Sequence, residues 1–453
     1  MEHPSVLLIS GNQLKVPYPV YPLGVSYLAT YLRKNIPEIK VDVFDFNLQT
    51  IEQLRQTIKD AQPNVVGISL RNIDNVNVFD TQNFIEYYRS IISNIRIHSK
   101  AKVVIGGAGY SIFPERLFEY LQPDFGIRGE GEESFRKLIV ALNETLPDFE
   151  SIEGLVYRTN EGIKVNSRIN YTKNLHLEFE PELIDYYWQH SGMLNIQTKR
   201  GCPYACDYCS YPMIEGKFTR NLDADLVVEN LMKMKTDHNI DYVFFTDSVF
   251  NISNAYNIDL AEKIIKSGVN VRWGAYFTPI NLDKQQLKLF KASGLSHIEF
   301  GTDSLSETML RSFNKTFSMT DIFETSRMCS ELDINFAHFL ILGGKDETLA
   351  TILETMENSK KLPPTVFFPT IGTRIYPGTQ LCRHAIKNHI IHHEEELMQS
   401  VYYLSTEVNS AEIMAEARKT GRKWVFMDEN LQPAMAKMRA RGKKGPLWDY
   451  IIQ

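Results

Sequence analysis

Three of the five cysteines in this chain, Cys202, Cys206 and Cys209, lie within a span of eight residues. Three thiolates with the spacing CxxxCxxC can bind three irons of a cubane cluster, and the fourth iron then has no protein ligand. An iron with an open position can bind and activate a small molecule. The spacing therefore predicts a 4Fe–4S cluster that holds a further ligand.

A zinc site and a chance grouping of core residues are the alternatives to a cluster at the three cysteines. A closed zinc site needs a fourth ligand, and the nearest further His or Cys residues are His190 and His238. Cys329 and Cys382 stand alone, and we interpret them as small buried apolar residues. An odd cysteine count with three clustered thiols is unlike a secreted disulfide framework. We therefore expect a cytoplasmic protein.

The composition limits the classes of partner. The chain has 453 residues, with 49 basic and 55 acidic side chains and a formal net charge of −6. This length predicts two large domains. An acidic balance without a long basic run disfavours nucleic-acid binding through phosphate neutralisation. We expect no signal peptide, since the N-terminus lacks a basic region, and no membrane span, since no apolar run approaches ~18 residues.

The elements that must position these residues follow from the order of apolar patterns. Strand and helix patterns alternate over residues 1–145, which predicts a doubly wound, Rossmann-like α/β domain. Residues 146–193 are a less regular connector, with a possible hairpin around Tyr157–Val165. About six strand–helix units over residues 194–385 predict a partial (β/α)6 TIM-type barrel. Residues 386–453 form a small, mostly helical C-terminal region without a recognisable strand. Tyr402 and Tyr403 there are either pocket residues or core residues, and we favour the core interpretation.

The second domain resembles the radical S-adenosylmethionine (SAM) superfamily across residues 194–385. The cysteine motif carries the aromatic Tyr208 before its last cysteine and follows the first predicted barrel strand. The resemblance implies that SAM binds the open iron, and that one electron, from a donor such as flavodoxin or ferredoxin, cleaves SAM to a 5′-deoxyadenosyl radical. Later segments match in order, although Asp303 replaces the usual Glu. The SAM-binding residues implied are Tyr208, Asp247, Gly301, Asp303, Ser304 and Ile341.

The first domain lacks the nucleotide-binding motifs common in such folds. It has no P-loop, and no GxGxxG follows its first strand. Ligands of an open α/β sheet bind outside the carboxyl ends of its strands, where glycine-rich segments lie. Placed before the barrel, the domain resembles the cobalamin-binding domain of many radical SAM enzymes. The cobalamin-binding residues implied are Leu23, Gly24, Ser69, Gly106, Gly107, Gly109, Gly129 and Glu130.

One missing motif bears on the chemistry of bound cobalamin. Cobalamin domains that ligate cobalt from below use Asp-x-His-x-x-Gly, and none of the 11 histidines lies in that pattern. Cobalamin is therefore expected to bind without a protein histidine beneath the cobalt. A weakly ligated lower face favours the nucleophilic cobalt that takes a methyl group from SAM.

The resemblance implies a C-methyltransferase that acts on an unactivated carbon of a small metabolite or carrier-bound intermediate. One SAM methylates cobalt, and a second yields the radical that removes a substrate hydrogen. A radical rearrangement, oxidation or cyclisation without methyl transfer is the alternative. A non-catalytic cobalamin sensor would not need three clustered thiols. An RNA methylthiotransferase would normally bring a second cluster and a basic RNA-binding module.

Overall fold

The computed structural model describes residues 4–172, 175–427 and 430–452. The chain forms two compact units. The first contains the residues up to Asn75, Gln82–Tyr187 and Met213–Glu215, and the second contains Val76–Thr81, Trp188–Pro212 and the chain from Gly216 onward. None of the helices in the described ranges is long and apolar enough to cross a membrane.

A seven-stranded sheet in the order β2-β1-β3-β4-β5-β6-β7 forms the centre of the first unit. Strands β1 to β5 are parallel, and β6 and β7 form an antiparallel hairpin at one edge. The order 2-1-3-4-5 is that of flavodoxin-like doubly wound sheets, so the Rossmann-like prediction is confirmed. The strands are β1 Ser5–Ser10, β2 Lys40–Asp45, β3 Val65–Ser69, β4 Lys102–Gly106, β5 Phe125–Ile127, β6 Leu155–Thr159 and β7 Gly162–Val165.

Helices connect the parallel strands of the first unit because each crossover must return to the same end of the sheet. A buried core joins the strands to these helices, with Leu8, Ala29 and Leu138 each at most 2% exposed. Thr50 and Gln53 form a capping box that fixes the start of α2. The helices are α1 Leu23–Asn35, α2 Ile51–Ala61, α3 Ile85–His98, α4 Ala108–Ile112, α5 Pro114–Leu121, α6 Glu132–Ala141 and α7 Pro181–Ser191.

The second unit contains an open barrel of seven parallel strands in the order β18-β15-β14-β13-β12-β11-β8. The six predicted strands are confirmed. The seventh, β18, was missed because it is two residues long and shows no alternation. Two short ribbons, β9 with β10 and β16 with β17, are antiparallel. The strands are β8 Leu194–Ile196, β9 Lys199–Arg200, β10 Arg220–Asn221, β11 Tyr242–Phe245, β12 Arg272–Phe277, β13 Leu295–Asp303, β14 Asn335–Leu342, β15 Val366–Ile371, β16 Thr373–Arg374, β17 Tyr402–Tyr403 and β18 Lys423–Trp424.

The helices of the second unit pack on the outer face of this barrel. Ile322, Met356 and Ile413, for example, lie on three different helices and share one buried cluster with residues of β14 and β15. Short 3₁₀ turns add Phe250–Ile252, Glu394–Met398 and Leu447–Tyr450. The helices are α8 Tyr211–Ile214, α9 Ala224–His238, α10 Asn254–Ser267, α11 Lys284–Ala292, α12 Glu307–Ser312, α13 Met319–Glu331, α14 Leu349–Lys361, α15 Gln380–Lys387, α16 Ser410–Lys419 and α17 Gln432–Ala440.

Alternation along the strands separates an outer face from a lumen. His338 faces outward, since it contacts Ser326 of α13 through a nitrogen 3.3 Å from the hydroxyl. Its neighbour Phe339 therefore faces the lumen, where its ring centroid lies 6.3 Å from that of Tyr276 and 5.0 Å from that of Phe368. Phe244 continues this series, 4.9 Å from Tyr276. The lumen is thus lined largely by aromatic rings.

Candidate active site

The three cysteines lie in a loop that backbone contacts hold in shape. Gly201 begins the loop with φ +84°, a region that favours glycine, and a Cβ there would collide with the carbonyl of Phe218. The backbone N–H of Cys202 donates to Gly216 at 3.1 Å, and that of Cys209 donates to Cys206 at 3.2 Å. The loop therefore presents its thiols in a defined arrangement.

The chemistry of these thiols fits a cluster better than a single ion. In the described parts of the chain, no three His, Cys, Asp or Glu side chains converge on a position that could hold one metal ion. A cubane does not require such convergence, because each cysteine sulfur binds a different iron. Burial raises the pKa of the Cys206 thiol, and raises the pKa of Cys209 to about 12. Cys329 and Cys382 are fully buried elsewhere.

Asp247 follows β11, as predicted, but its carboxylate is bound within the protein. One oxygen accepts from the backbone N–H groups of Thr198 and Lys199 at 2.7 and 3.1 Å. The second oxygen accepts from the Thr198 hydroxyl at 2.5 Å and the Lys199 ammonium at 3.0 Å. A carboxylate has about four acceptor sites, and all are used. The geometry therefore gives no support to direct contact between Asp247 and SAM.

Asp303 is the last residue of β13. A register shift after Gly301 and a φ of +63° at Asp303 set the direction of its side chain. Its Oδ2 atom accepts from both the Tyr208 hydroxyl and the Lys315 ammonium. No hydrogen bond to Oδ1 occurs within the described residues, so this oxygen can serve the predicted ribose contact. Lys315 was missed because it stands in a turn that carries no motif, 109 residues from Cys206.

Two further predicted SAM residues, Gly301 and Ser304, face different directions. Gly301 faces the lumen, and a Cβ added there would meet no atom within 4 Å. Ser304 is fully buried, and its hydroxyl lies 3.4 Å from that of Thr355 in α14. The Ser304 hydroxyl therefore does not reach the lumen, contrary to the role that the resemblance implies.

A cavity of about 180 Å³ in the second unit brings together Tyr208 and Ile341, two of the predicted SAM residues. Tyr402 also lines it, so the favoured interpretation as a core residue is wrong and the pocket alternative holds for Tyr402. Thr373 contributes a buried hydroxyl without a hydrogen-bond partner in the described chain. The remaining lining residues are Val76, Asn77, Val78, Phe79, Thr370, Ile371, Gly372, Arg374, Tyr376 and Met427. Most of this wall is apolar or aromatic, as expected for a small-molecule site.

Residues 76–79 form the part of this wall that the sequence least suggests, since they follow a strand of the first sheet. They nevertheless belong to the second compact unit. The Thr81 hydroxyl donates to the Asn77 carbonyl at 3.0 Å, and the Phe79 N–H donates to the Asn77 side chain at 3.0 Å. These bonds keep the apolar side chains of the segment on one short turn.

In the first unit, the predicted glycine-rich loops meet at the carboxyl edge of the parallel sheet. Gly107 has φ +98°, and a Cβ there would lie 2.8 Å from the Leu70 carbonyl oxygen. A Cβ at Gly109 would lie 3.0 Å from the same oxygen, to which the Gly109 N–H donates at 2.9 Å. The loops after β3 and β4 themselves therefore require these glycines, whether or not a ligand is bound. Ser69, Gly106 and Leu70 belong to this contact region.

The other predicted cobalamin residues differ in burial and in their contacts. Gly129 has φ +79° and donates its N–H to the Ser111 hydroxyl at 2.8 Å. Glu130 is buried and accepts from the Thr172 N–H at 3.3 Å. Leu23 and Gly24 begin α1, and a Cβ at Gly24 would meet no atom within 4 Å.

Buried polar atoms at this edge fit a ligand with hydrogen-bonding groups. Asn12 Nδ2, Asn47 Oδ1 and Asn72 Oδ1 have no hydrogen-bond partner in the described chain. Asn12, Asn47 and Asn72 follow β1, β2 and β3 respectively. Because unsatisfied buried polar groups cost free energy, their clustering at one edge indicates a ligand that satisfies them.

Two family models match the chain. The B12 binding domain matches residues 9–139, and the Radical SAM superfamily matches residues 196–358. Among curated relatives, the tryptophan 2-C-methyltransferase of Streptomyces laurentii is 25% identical over 84% of this chain and 74% of its own. The anaerobic magnesium-protoporphyrin IX monomethyl ester cyclase of Rubrivivax gelatinosus is 25% identical over 76% of this chain and 62% of its own.

A solved structure shares the whole fold. The radical SAM methyltransferase TsrM of Kitasatospora setae, with cobalamin and a [4Fe-4S] cluster bound, has a TM-score of 0.86 and 22% identity. The match covers 99% of this chain and 97% of that one. The first matched segment contains strands of the first sheet, and the second contains strands of the barrel together with the three clustered cysteines. The chain belongs to the cobalamin-dependent radical SAM enzymes, whose cofactors are a 4Fe–4S cluster, SAM and cobalamin.

Proposed function

We propose that this enzyme is a C-methyltransferase that uses both cofactor sites to methylate a small-molecule or carrier-bound substrate in the cytoplasm. The observation that carries the proposal is the apolar cavity beside Tyr208, which adjoins the cysteine loop in a chain that also has a B12-binding domain. The similarity of the chain to a tryptophan 2-C-methyltransferase supports methyl transfer.

The cluster would be held by Cys202, Cys206 and Cys209, and with SAM it supplies radical chemistry at an unactivated carbon. Tyr208 and Ile341 would form the apolar wall of the SAM site, and Gly301 would let SAM approach the floor of the lumen. Asp303 Oδ1 would accept from a ribose hydroxyl. Asp247 would act one step away, by fixing Thr198 and Lys199 at the start of the cysteine loop.

Cobalamin would bind at the carboxyl edge of the first sheet without a protein histidine under the cobalt. Two observations support this. No Asp-x-His-x-x-Gly occurs in the sequence. Of the histidines described in the first unit, His98 ends α3 and His176 is exposed in the segment before α7. Because α3 runs antiparallel to the strands, its last residue lies at the opposite edge of the sheet.

Product analysis tests methyl transfer. Anaerobically reconstituted enzyme is supplied with SAM labelled in its methyl group, a reductant and extracts of a strain that lacks the enzyme. We expect S-adenosylhomocysteine together with 5′-deoxyadenosine, and a metabolite that carries the label. Production of 5′-deoxyadenosine with an unlabelled new metabolite would instead support a rearrangement or cyclisation, which the similarity to a cyclase favours.

The same preparation tests the partners and the lower face of cobalamin. Flavodoxin or ferredoxin should replace the chemical reductant, and added RNA should not change turnover. The EPR spectrum of bound cob(II)alamin should lack nitrogen superhyperfine splitting. Clear splitting would contradict the prediction that no histidine binds the cobalt, but it would leave cobalamin as the assigned cofactor.

A further inference from the structure

We infer that Lys315 sets the reduction potential of the iron–sulfur cluster through a hydrogen bond to the sulfur of Cys206. This inference deepens the proposed function, because it assumes that the three cysteines hold the cluster. It assigns a role to a residue that lies outside the cysteine motif and outside the segments that resemble SAM-binding sequences.

The Lys315 ammonium is buried, with 8% of its side chain exposed, and its surroundings match its three donors. It lies 3.5 Å from Cys206 Sγ, within hydrogen-bonding range of a sulfur acceptor, and 3.4 Å from the Tyr208 hydroxyl. It also forms an ion pair with Asp303. A lysine ammonium has three N–H donors, so each donor has one acceptor.

The turn that carries Lys315 is fastened to the cysteine loop, so this geometry does not depend on the flexible side chain alone. The backbone N–H of Asp207 donates to the Phe313 carbonyl at 3.3 Å. The Asn314 side chain donates to the Ala205 carbonyl at 2.7 Å. The Lys315 N–H itself donates to the Leu310 carbonyl at 2.9 Å, which closes the turn after α12.

A hydrogen bond to a ligand sulfur and a nearby positive charge both act on the potential in the same direction. Reduction adds a negative charge to the cluster, and a buried cation stabilises that charge more strongly than an exposed one would. Hydrogen bonds to the sulfurs raise the potential by withdrawing electron density from them. Lys315 therefore makes the cluster easier to reduce.

The competing interpretation is that Lys315 has a structural role only and holds Asp303 and Tyr208 in position. Redox titration separates the two, because bracing alone does not change the cluster's potential. Wild-type enzyme, Lys315→Met and Lys315→Arg are reconstituted with iron and sulfide, and the reduced cluster is quantified by EPR against poised mediators without SAM. Lys284→Met is the matched control, since it removes an exposed lysine whose partner is Glu331.

We expect Lys315→Met to lower the ratio of reduced to oxidised cluster about tenfold at a fixed potential, equivalent to about 59 mV for a one-electron couple. Lys315→Arg should recover most of the shift, and Lys284→Met should show none. An unchanged potential in Lys315→Met with full iron content would overturn the inference.

A second variant covers the case in which Lys315→Met loses its cluster. Lys315→Gln keeps an N–H donor without the charge and should give a smaller shift in the same direction. If Lys315→Met and Lys315→Gln both fold but lose their iron, then Lys315 has a structural role, and this result also overturns the inference. A wild-type enzyme that binds no cluster would instead refute the cluster assignment on which the proposed function depends.

Discussion

Replacing Asp247 with asparagine distinguishes a structural role from direct SAM binding. The Asp247 carboxylate accepts four hydrogen bonds from Thr198 and Lys199, the residues that lead into the cysteine loop. Asparagine offers one acceptor oxygen, and its NH2 group is a donor. In one orientation that NH2 group would face the backbone N–H groups of Thr198 and Lys199. In the other it would face the Lys199 ammonium and the Thr198 hydroxyl, which already accepts from that ammonium at 2.7 Å.

The expected cost follows from the burial of the pair. Both side chains are 0% exposed, and removal of one partner from a buried ion pair costs about 3–5 kcal/mol. The Lys199 ammonium lies 4.3 Å from the centroid of the Phe250 ring, a cation–π contact that persists in the variant. Burial already lowers the pKa of Lys199, so the neutral amine also becomes accessible. We therefore expect a loss of about 3 kcal/mol, the lower end of the range.

Tryptophan fluorescence during guanidinium denaturation measures this loss selectively, because all four tryptophans lie in the second unit. Asp259→Asn is the control, since that carboxylate pairs with Lys263 at the surface. Adding Lys199→Met to Asp247→Asn should restore part of the stability by removing the unpaired buried charge. Iron content should fall in Asp247→Asn as the cysteine loop loosens.

One result would refute this structural role. If Asp247→Asn unfolds at the wild-type denaturant concentration, retains its iron and binds SAM about tenfold more weakly, then Asp247 contacts SAM directly. A tenfold change corresponds to about 1.4 kcal/mol, within reach of one hydrogen bond to a charged group.

Three further predictions concern other parts of the chain. Changing Cys202, Cys206 and Cys209 together to alanine should abolish iron binding and reductive SAM cleavage, whereas Cys329→Ala should leave the iron content unchanged; residual cleavage in the triple variant would contradict the cluster assignment. Gly107→Val should lose cobalamin binding because its Cβ would press on the Leu70 carbonyl at 2.8 Å, and Gly24→Ala should retain binding; equal retention of cobalamin by both would show that the loop contact is unimportant. Burial raises the pKa of Glu299 from 4.5 to about 7, so the native state binds more protons than the unfolded state between these values, and stability falls as the pH rises through this window. Glu299→Gln, which can still accept from Trp448 at the present 2.9 Å contact, should therefore gain up to about 3 kcal/mol relative to wild type as the pH rises from about 4.5 to about 8; a pH-independent difference in thermal unfolding would contradict the raised pKa.

Local pattern was sufficient to predict the fold class, which the structure confirms, and to propose the cluster ligands. The three cysteines are close in sequence and share one loop, so their spacing alone predicts a common site. The strands of both sheets are short apolar runs separated by helices, and this alternation predicts parallel sheets without knowledge of their neighbours. The strand β18 escaped because two residues carry no period.

The direction in which a polar side chain turns at the end of a strand was not predictable in the same way. Asp247, Asp303 and Ser304 all follow or end barrel strands, yet Asp247 turns to the preceding strand, Ser304 to α14 and Asp303 to the lumen. A register shift and a positive φ produce the orientation of Asp303, and neither has a sequence signature at an aspartate.

The sequence by itself determined the class of chemistry that the chain supports, because three cysteines in one loop and glycines at strand ends are local features. The tertiary structure decided which groups surround that chemistry. Lys315 reaches Cys206 from 109 residues away, and Tyr402 and Phe79 meet in one cavity from distant segments. Such pairs are created by packing, because buried polar groups must find hydrogen-bond partners anywhere in the folded unit and not only among their sequence neighbours. No periodicity along the chain encodes that outcome.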